Sequence, residues 1–534
     1  MHSSARAVRL LAIAAAAASL IACGGGGGGS GAALPSVDTS SVAAADPGSV
    51  LAEGWQRRGI AQIFVRSYQD SDGDGKGDLQ GLISRLDYLK ALGVGGIWLM
   101  PITASQDQDH GYAVKDYRAV ESDYGSLADL DALVAAAHAR GLGVIVDYVM
   151  NHSAAEHPAF LNSRAGASNN FRSWYVWQSS QPSGWSIYGS DPWRAYRSDW
   201  YYAPFWDQMP DFNLTNAAVV AWHHDNLRFW LNRGVDGFRF DAVGNLVENG
   251  ASAWENQPQN HVLMAAVRSL VGGYAKRYMV CEGPSDPAGY AASCGSAFAF
   301  GHQSDLIAAA QGDTAAIAAV AAYPSTAPAG AANFLSNHDS FAGERPYDQL
   351  AGNLAQYKLA AATYLLQPGI PFVYYGEEIG MAGASSLSGD PKLRTPMSWT
   401  AAGGFTSGTP YRAKAANVAS YNVAAEEADA DSLLGFYKTM LALRSARPSI
   451  SAGDYLQPAA SGTLLSFQRT QGSERTLVVL NYGSTSATAT VTGLPASATL
   501  ASLYPSGSSG TTASAAGQAS ITMAARSVRV FDLR

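Results

Sequence analysis

Gly237-Phe238-Arg239-Phe240-Asp241 is a short apolar run that carries one arginine and stops on an acid. Side chains alternate between the two faces of a strand, so Arg239 and Asp241 point to the same side. A guanidinium there is expected to lower the pKa of the carboxylate and keep it ionised. Seven further runs of similar character flank this one: Ile63-Phe64-Val65, Gly96 to Met100, Val144 to Tyr148, Tyr278 to Glu282, Ala297 to Phe300, Asn333 to Leu335 and Pro371 to Tyr375. Between them lie amphipathic patterns such as Leu82-Leu86-Leu89 and Leu127-Leu130-Leu133-Val134, which read as helices. Strands alternating with helices indicate parallel βαβ units, and eight of them predict an α/β fold closed into a (β/α)8 TIM barrel. An open doubly wound sheet is the alternative from pattern alone.

Two regions break the alternation. Residues 152–212 hold no clear helical pattern, and Trp174, Trp177, Trp185, Trp193, Trp200 and Trp206 crowd them. So long a loop inside a barrel requires a role of its own, and it is read as a small domain inserted after strand three. Beyond Arg447-Pro448 the pattern changes to short alternating runs from Leu464 onward, punctuated by Gly, Ser and Asn. Residues 448–534 are therefore expected to form an antiparallel β-sandwich, with the barrel in 53–151 and 213–447.

The active site of such a barrel lies at the C-terminal ends of its strands. Asp147, Asp241, Glu282 and Asp339 each follow or close an apolar run. Clustered carboxylates push some pKa values up and others down, which general acid/base chemistry needs. Two of them flanking a bond are the machinery of glycoside hydrolysis. The charge balance, 35 Lys+Arg against 43 Asp+Glu for a net −8, argues against a nucleic-acid partner. With 47% hydrophobic and 15% charged residues, the chain can build a large core.

At the N-terminus, Arg6 and Arg9 precede an apolar run from Leu10 to Ala22, too short to span a bilayer. Residues 1–22 read as a secretory signal. Leu20-Ile21-Ala22-Cys23 resembles a bacterial lipobox, in which Cys23 is lipidated, and the glycine-rich 23–52 reads as a flexible tether. The expectation is an exported protein, lipid-anchored to a bacterial membrane on the periplasmic side or at the cell surface, and monomeric.

The motifs around the acids resemble the alpha-amylase family of glycoside hydrolases. Asp147 to His152, Gly237 to Ala242, Val280 to Gly283 and Phe334 to Asp339 are similar to its four signatures, in order. Met209 to Asn213 and Gly93 to Pro101 are similar to two more. The resemblance implies that Asp241 is the nucleophile, Glu282 the acid/base and Asp339 the residue that holds sugar hydroxyls. It further implies sugar contacts from His152 and His338, stacking by Tyr112, and an ion pair between Asp109 and Arg394 that walls off the first sugar site. Glu282, which must start protonated, is expected in less charged surroundings than Asp241. The family's usual Lys-His after the nucleophile is replaced here by Gly244-Asn245, which puts a second calcium site in doubt.

Asp70-Ser71-Asp72-Gly73-Asp74-Gly75-Lys76-Gly77-Asp78 offers oxygens at alternate positions, as a hard cation requires. It resembles the Ca2+ loop of oligosaccharide-cleaving members of the family, with Asp70, Asp72, Asp74 and Asp78 as side-chain ligands and Lys76 giving its carbonyl. Cys281 and Cys294 are either bridged or two buried thiols. The function implied is retaining hydrolysis of α-1,4-glucosidic bonds in starch and maltooligosaccharides. An α-glucosidase, an oligo-1,6-glucosidase or a glucosyl-transferring relative is the alternative, and a non-catalytic glycan-binding lipoprotein a remote one.

Overall fold

The computed structural model describes residues 33–534 apart from Ala329 and Ser509. The signal segment, Cys23 and the glycine run of the tether lie outside the described residues. Eight parallel strands close a barrel: β1 (Ile60–Ile63), β2 (Gly96–Leu99), β3 (Gly143–Tyr148), β4 (Gly237–Phe240), β5 (Tyr278–Cys281), β6 (Ala297–Phe298), β7 (Ala331–Asn333) and β8 (Ile370–Tyr374). Each pairs with its sequence neighbours, and β8 returns to β1. The doubly wound alternative is thereby excluded.

The alternation along each strand sorts its residues into two cores. Trp98, Ile145, Val280, Phe298 and Phe372 fill the barrel, whereas Phe238, Phe240, Val146 and Cys281 pack outward under the helices. Trp55 plugs the bottom. A Cβ at Gly96 would lie 2.3 Å from its ring and one at Gly143 2.6 Å, so both strands start on glycine to admit the indole. The helix Leu127–His138 begins at a capping box, in which Ser126 accepts from the Asp129 amide and Asp129 from that of Ser126. Leu130, Leu133, Val134 and Ala137 are its buried stripe.

The structure moves several predicted boundaries. Strand one is Ile60–Ile63 rather than 63–65, because Val65–Tyr68 is already helical. Strand seven is Ala331–Asn333, and Phe334 and Leu335 lie beyond its end. The inserted region is not helix-free: Pro158–Ser163 is a helix started by proline at its first turn, packed near a three-stranded sheet. The C-terminal domain begins earlier than the alternating pattern, with a helix Pro448–Ala452 and a strand Asp454–Ser461 that is exposed along most of its length. An exposed edge strand carries no apolar alternation to read. Six strands form one antiparallel sheet and two form another, with Leu477, Val479, Ile521, Met523 and Phe531 between them.

Candidate active site

Arg239 is the hub of the barrel's C-terminal opening. Register sets Asp147 on β3 directly beside it and Val280 on its other flank. Its Nη1 donates to Asp147 Oδ1 at 2.8 Å, Asp241 Oδ1 at 2.9 Å and Tyr112 Oη at 2.9 Å, and its Nη2 lies 2.7 Å from Glu282 Oε2. Asp147 lies beneath the opening, almost fully buried, where the Trp98 indole and the Tyr112 hydroxyl also donate to it. It holds Arg239 in place and does not face the cavity. Of the four strand-end acids, Asp241, Glu282 and Asp339 do.

Two electrostatic expectations are corrected. Burial pushes the Asp241 carboxyl well above its usual range, and although Arg239 pulls it down, crowding by Glu282, Asp147 and Asp339 adds to the upward push. Nor is Glu282 in less charged surroundings: it shares Arg239 and accepts from the Ala242 amide at 3.1 Å. Asp241 and Glu282 thus share one guanidinium. Asp339 goes the other way. Against the cost of burial, His338 and Arg394 hold it well below the usual carboxylate range.

The two histidines differ. His152 has been pushed down to about 3 by burial, so it is neutral. Its Nδ1 faces the Asn151 amide at 3.3 Å, its buried Nε2 has no hydrogen-bond partner, and the residue lines the cavity. His338 has both nitrogens engaged. Gln62 Nε2 lies 2.7 Å from Nδ1, and Nε2 sits between Tyr112 Oη at 2.8 Å and Asp339 Oδ2 at 3.0 Å. It braces Asp339, while the Tyr112 ring stacks on it at 5.6 Å.

Arg394 and Asp339, which line the cavity, belong to an ion cluster. Arg394 Nη2 donates to Asp339 Oδ1 at 2.9 Å and its Nε to the His338 carbonyl at 2.9 Å. Its Nη1 reaches Asp109 Oδ2 at only 3.7 Å, and the closer partner of Asp109 is Arg412, at 2.6 Å. Arg412 and Gln62 were missed in the sequence because no local motif marks them, and Trp98, inside the Gly93–Pro101 signature, was read only as part of a strand; each meets the site through distant chain. The cavity holds about 670 Å3, and at its mouth Tyr188 and Phe341 are each 62% exposed.

Away from this cavity, the Asp70–Asp78 loop brings one oxygen each of Asp70, Asp72 and Asp78 within 4.8 Å of one another. Three converging carboxylates suit a hard divalent cation. Asp74 is not in this group and instead accepts from the Lys76 amide at 2.7 Å, while the Lys76 ammonium donates to Asp123. Despite burial, Thr406 and the amides of Gly73, Gly75 and Asp72 hold Asp70 below its usual range. Cys281, at the end of β5, is joined by a disulfide to Cys294, the last residue of the helix Pro287–Cys294, on the side of the strand away from the cavity.

A closed parallel barrel with paired acids on one guanidinium, a third acid beside them and a neutral histidine facing the same space defines a carbohydrate-active enzyme. The chain belongs to the alpha-amylase family: residues 62–453 match the family described as alpha amylase, catalytic domain. A probable alpha-glucosidase of Rhizobium meliloti (strain 1021) is 32% identical over 496 residues, covering 81% of this chain and 90% of the relative. An oligo-1,6-glucosidase of Parageobacillus thermoglucosidasius is 28% identical over 508 residues, covering 80% and 90%. The crystal structure of the trehalulose synthase MutB from Pseudomonas mesoacidophila MX-45 superposes with a TM-score of 0.78 at 26% identity, over 90% of this chain and 100% of that one.

Proposed function

We propose that this enzyme is a retaining α-glucosidase that removes glucose from the non-reducing end of short α-1,4-glucosides. The observation that carries the reading is the ion cluster of Arg394 and Arg412 on Asp109, with Arg394 also on Asp339; the family resemblance implies that it walls off the first sugar site. A pocket closed at one end selects chain ends, so the reading shifts from starch toward oligosaccharides. The names of the relatives support the same shift. Ala242, beside the leaving sugar, supports α-1,4 over α-1,6 cleavage, since the family resemblance implies valine at that position in α-1,6 enzymes.

In the reaction, Asp241 attacks the anomeric carbon in its ionised form, the form that the Arg239 guanidinium at 2.9 Å favours against burial. The bond from that carbon to the leaving oxygen breaks as Glu282 gives the oxygen its proton. Water then attacks the glucosyl-enzyme while Glu282 takes a proton from it, releasing α-glucose and free Asp241. Asp339, ionised between His338 and Arg394, accepts from sugar hydroxyls, and His152 Nε2 donates to one. Transfer to a second sugar in place of water is a second reading, favoured by the exposed rings of Tyr188 and Phe341 at the mouth, which suit an acceptor face. Product analysis on maltotriose, isomaltotriose and starch tests these readings. Glucose from maltotriose, with isomaltotriose and starch slow, is expected. Rapid loss of starch iodine colour would establish an endo-amylase instead, and equal cleavage of isomaltotriose an oligo-1,6-glucosidase.

Ca2+ in the Asp70–Asp78 loop is part of the same proposal, held by Asp70, Asp72 and Asp78, with a stabilising rather than a chemical role. Export with a lipid on Cys23 is another part. The Cys281–Cys294 disulfide supports an oxidising compartment. Labelled fatty acid failing to incorporate at Cys23 would remove the anchor.

A further inference from the structure

At the other end of the barrel, where β5 and β8 begin, a second cavity of about 540 Å3 lies against the C-terminal domain. Arg57, Arg268, Arg277 and Arg469 line it, and no acidic side chain among the described residues does. This is a concentration of positive charge in a chain of net charge −8. The four come from separate places: the turn Trp55–Arg58, the helix Pro258–Gly272, the residue before β5, and the strand Leu464–Gln471.

Their present partners leave the charge largely uncompensated. Arg469, 1% exposed, donates to the carbonyls of Leu366 at 3.0 Å and Gly453 at 2.7 Å, and its buried Nε has no partner. Arg268 donates to the Ala292 carbonyl at 3.0 Å. Asp454 acts on Arg469 through space, and Arg277 is paired with acids: Asp236, itself shared with His138, at 3.3 Å and Asp46 at 3.7 Å. Its other bonds go to the carbonyls of Ala275 and Gly48, and its buried Nε also lacks a partner. Arg57 is exposed and makes no ion pair among the described residues. Directly behind, Arg444 donates to four carbonyls, those of Arg57, Leu365, Gln367 and Gly369, and meets no carboxylate. Burial first, and then Arg469, push Arg444 down to about 9.

A purely structural role, stapling the barrel to the C-terminal domain, accounts for Arg444, whose donors reach carbonyls. It does not account for Arg57, or for the unpartnered Nε atoms of Arg277 and Arg469. Carbonyl dipoles satisfy N–H groups without cancelling a net charge, whereas the guanidinium fork matches the oxygens of a phosphate. We propose that this cavity binds a small phosphomonoester anion, gripped by Arg57, Arg268, Arg277 and Arg469, at a site separate from the sugar pocket.

The test is calorimetric titration of glycerol 3-phosphate into the full chain, with glycerol plus chloride at equal ionic strength as the control. Arg57→Gln/Arg268→Gln is the variant, since both side chains are exposed and the fold is expected to keep its melting temperature. Saturable binding by the wild-type protein, at least tenfold weaker in the variant and unaffected by maltose, is expected. No saturable heat beyond the control, or unchanged affinity in the variant, would overturn the proposal. So would displacement by maltose, which would place the anion in the sugar pocket.

Discussion

The two ends of the barrel hold opposite solutions to buried charge. At the C-terminal end, Asp147, Asp241 and Glu282 divide a single guanidinium. At the N-terminal end, arginines crowd together and are met mostly by backbone carbonyls. The first arrangement is poised for proton transfer, because small changes in its surroundings move a proton between states. The second is locked, because an arginine does not give up its proton in a protein. Chemistry therefore belongs to one end, and structural hold together with anion affinity to the other.

The largest expected effect breaks the first end alone. Asp241→Asn or Glu282→Gln should lower kcat by roughly 10³-fold or more while the urea unfolding curve stays in place. Near-normal hydrolysis by a folded Asp241→Asn protein would remove the assignment. The converse change is Arg444→Ala, which strips four carbonyls of their donor. It should cost about 3 kcal/mol or more of stability, read by urea unfolding, with kcat for maltotriose close to wild type.

Glu377 is an intermediate case, a buried acid facing hydroxyls rather than a guanidinium. Tyr364 and Tyr437 donate to its Oε1, and burial raises it from 4.5 to about 7. The folded state thus keeps a proton that the unfolded state loses. This contribution to stability is complete below pH 4.5 and is lost as pH rises through about 7. Glu377→Gln should remove that slope, so the variant gains on wild type by roughly 3 kcal/mol between pH 4.5 and 8. Parallel stability–pH curves for the two proteins would show that Glu377 is not held protonated.

Asp109→Ala loosens the ion cluster without touching the acids. The ratio of kcat/KM for maltoheptaose to that for maltose should rise by about tenfold. An unchanged ratio would mean that another element closes the pocket. The smallest effect is expected from the loop outside both ends: chelation should lower Tm by a few degrees, and added Ca2+ should restore it. An unchanged melting curve, with no metal by elemental analysis, would remove the cation.

Legibility followed the range of the interactions. The Gly237–Asp241 run, its Arg239–Asp241 alternation and the order of the eight runs were readable because strand period and acid position are local properties. The edge strand Asp454–Ser461 was not, since its residues are exposed and carry no apolar alternation. The helix Pro158–Ser163 was hidden in a segment dominated by aromatic residues and turns. Arg412 and Gln62 could not be assigned from local sequence, because Asp109 and Arg412 are separated by 303 positions and Gln62 and His338 by 276.

By itself the sequence determined the eight alternating units, the four strand-end acids and the family resemblance, since each is written in a few consecutive residues. The tertiary structure decided how the charges are shared. It put Asp147 beneath Arg239, drew Glu282 onto the same guanidinium, and engaged both nitrogens of His338 while leaving Nε2 of His152 free. It also gathered four arginines from separate elements at the far end of the barrel. Electrostatic energy depends on distance through space and on burial, and neither is a property of any short stretch of chain.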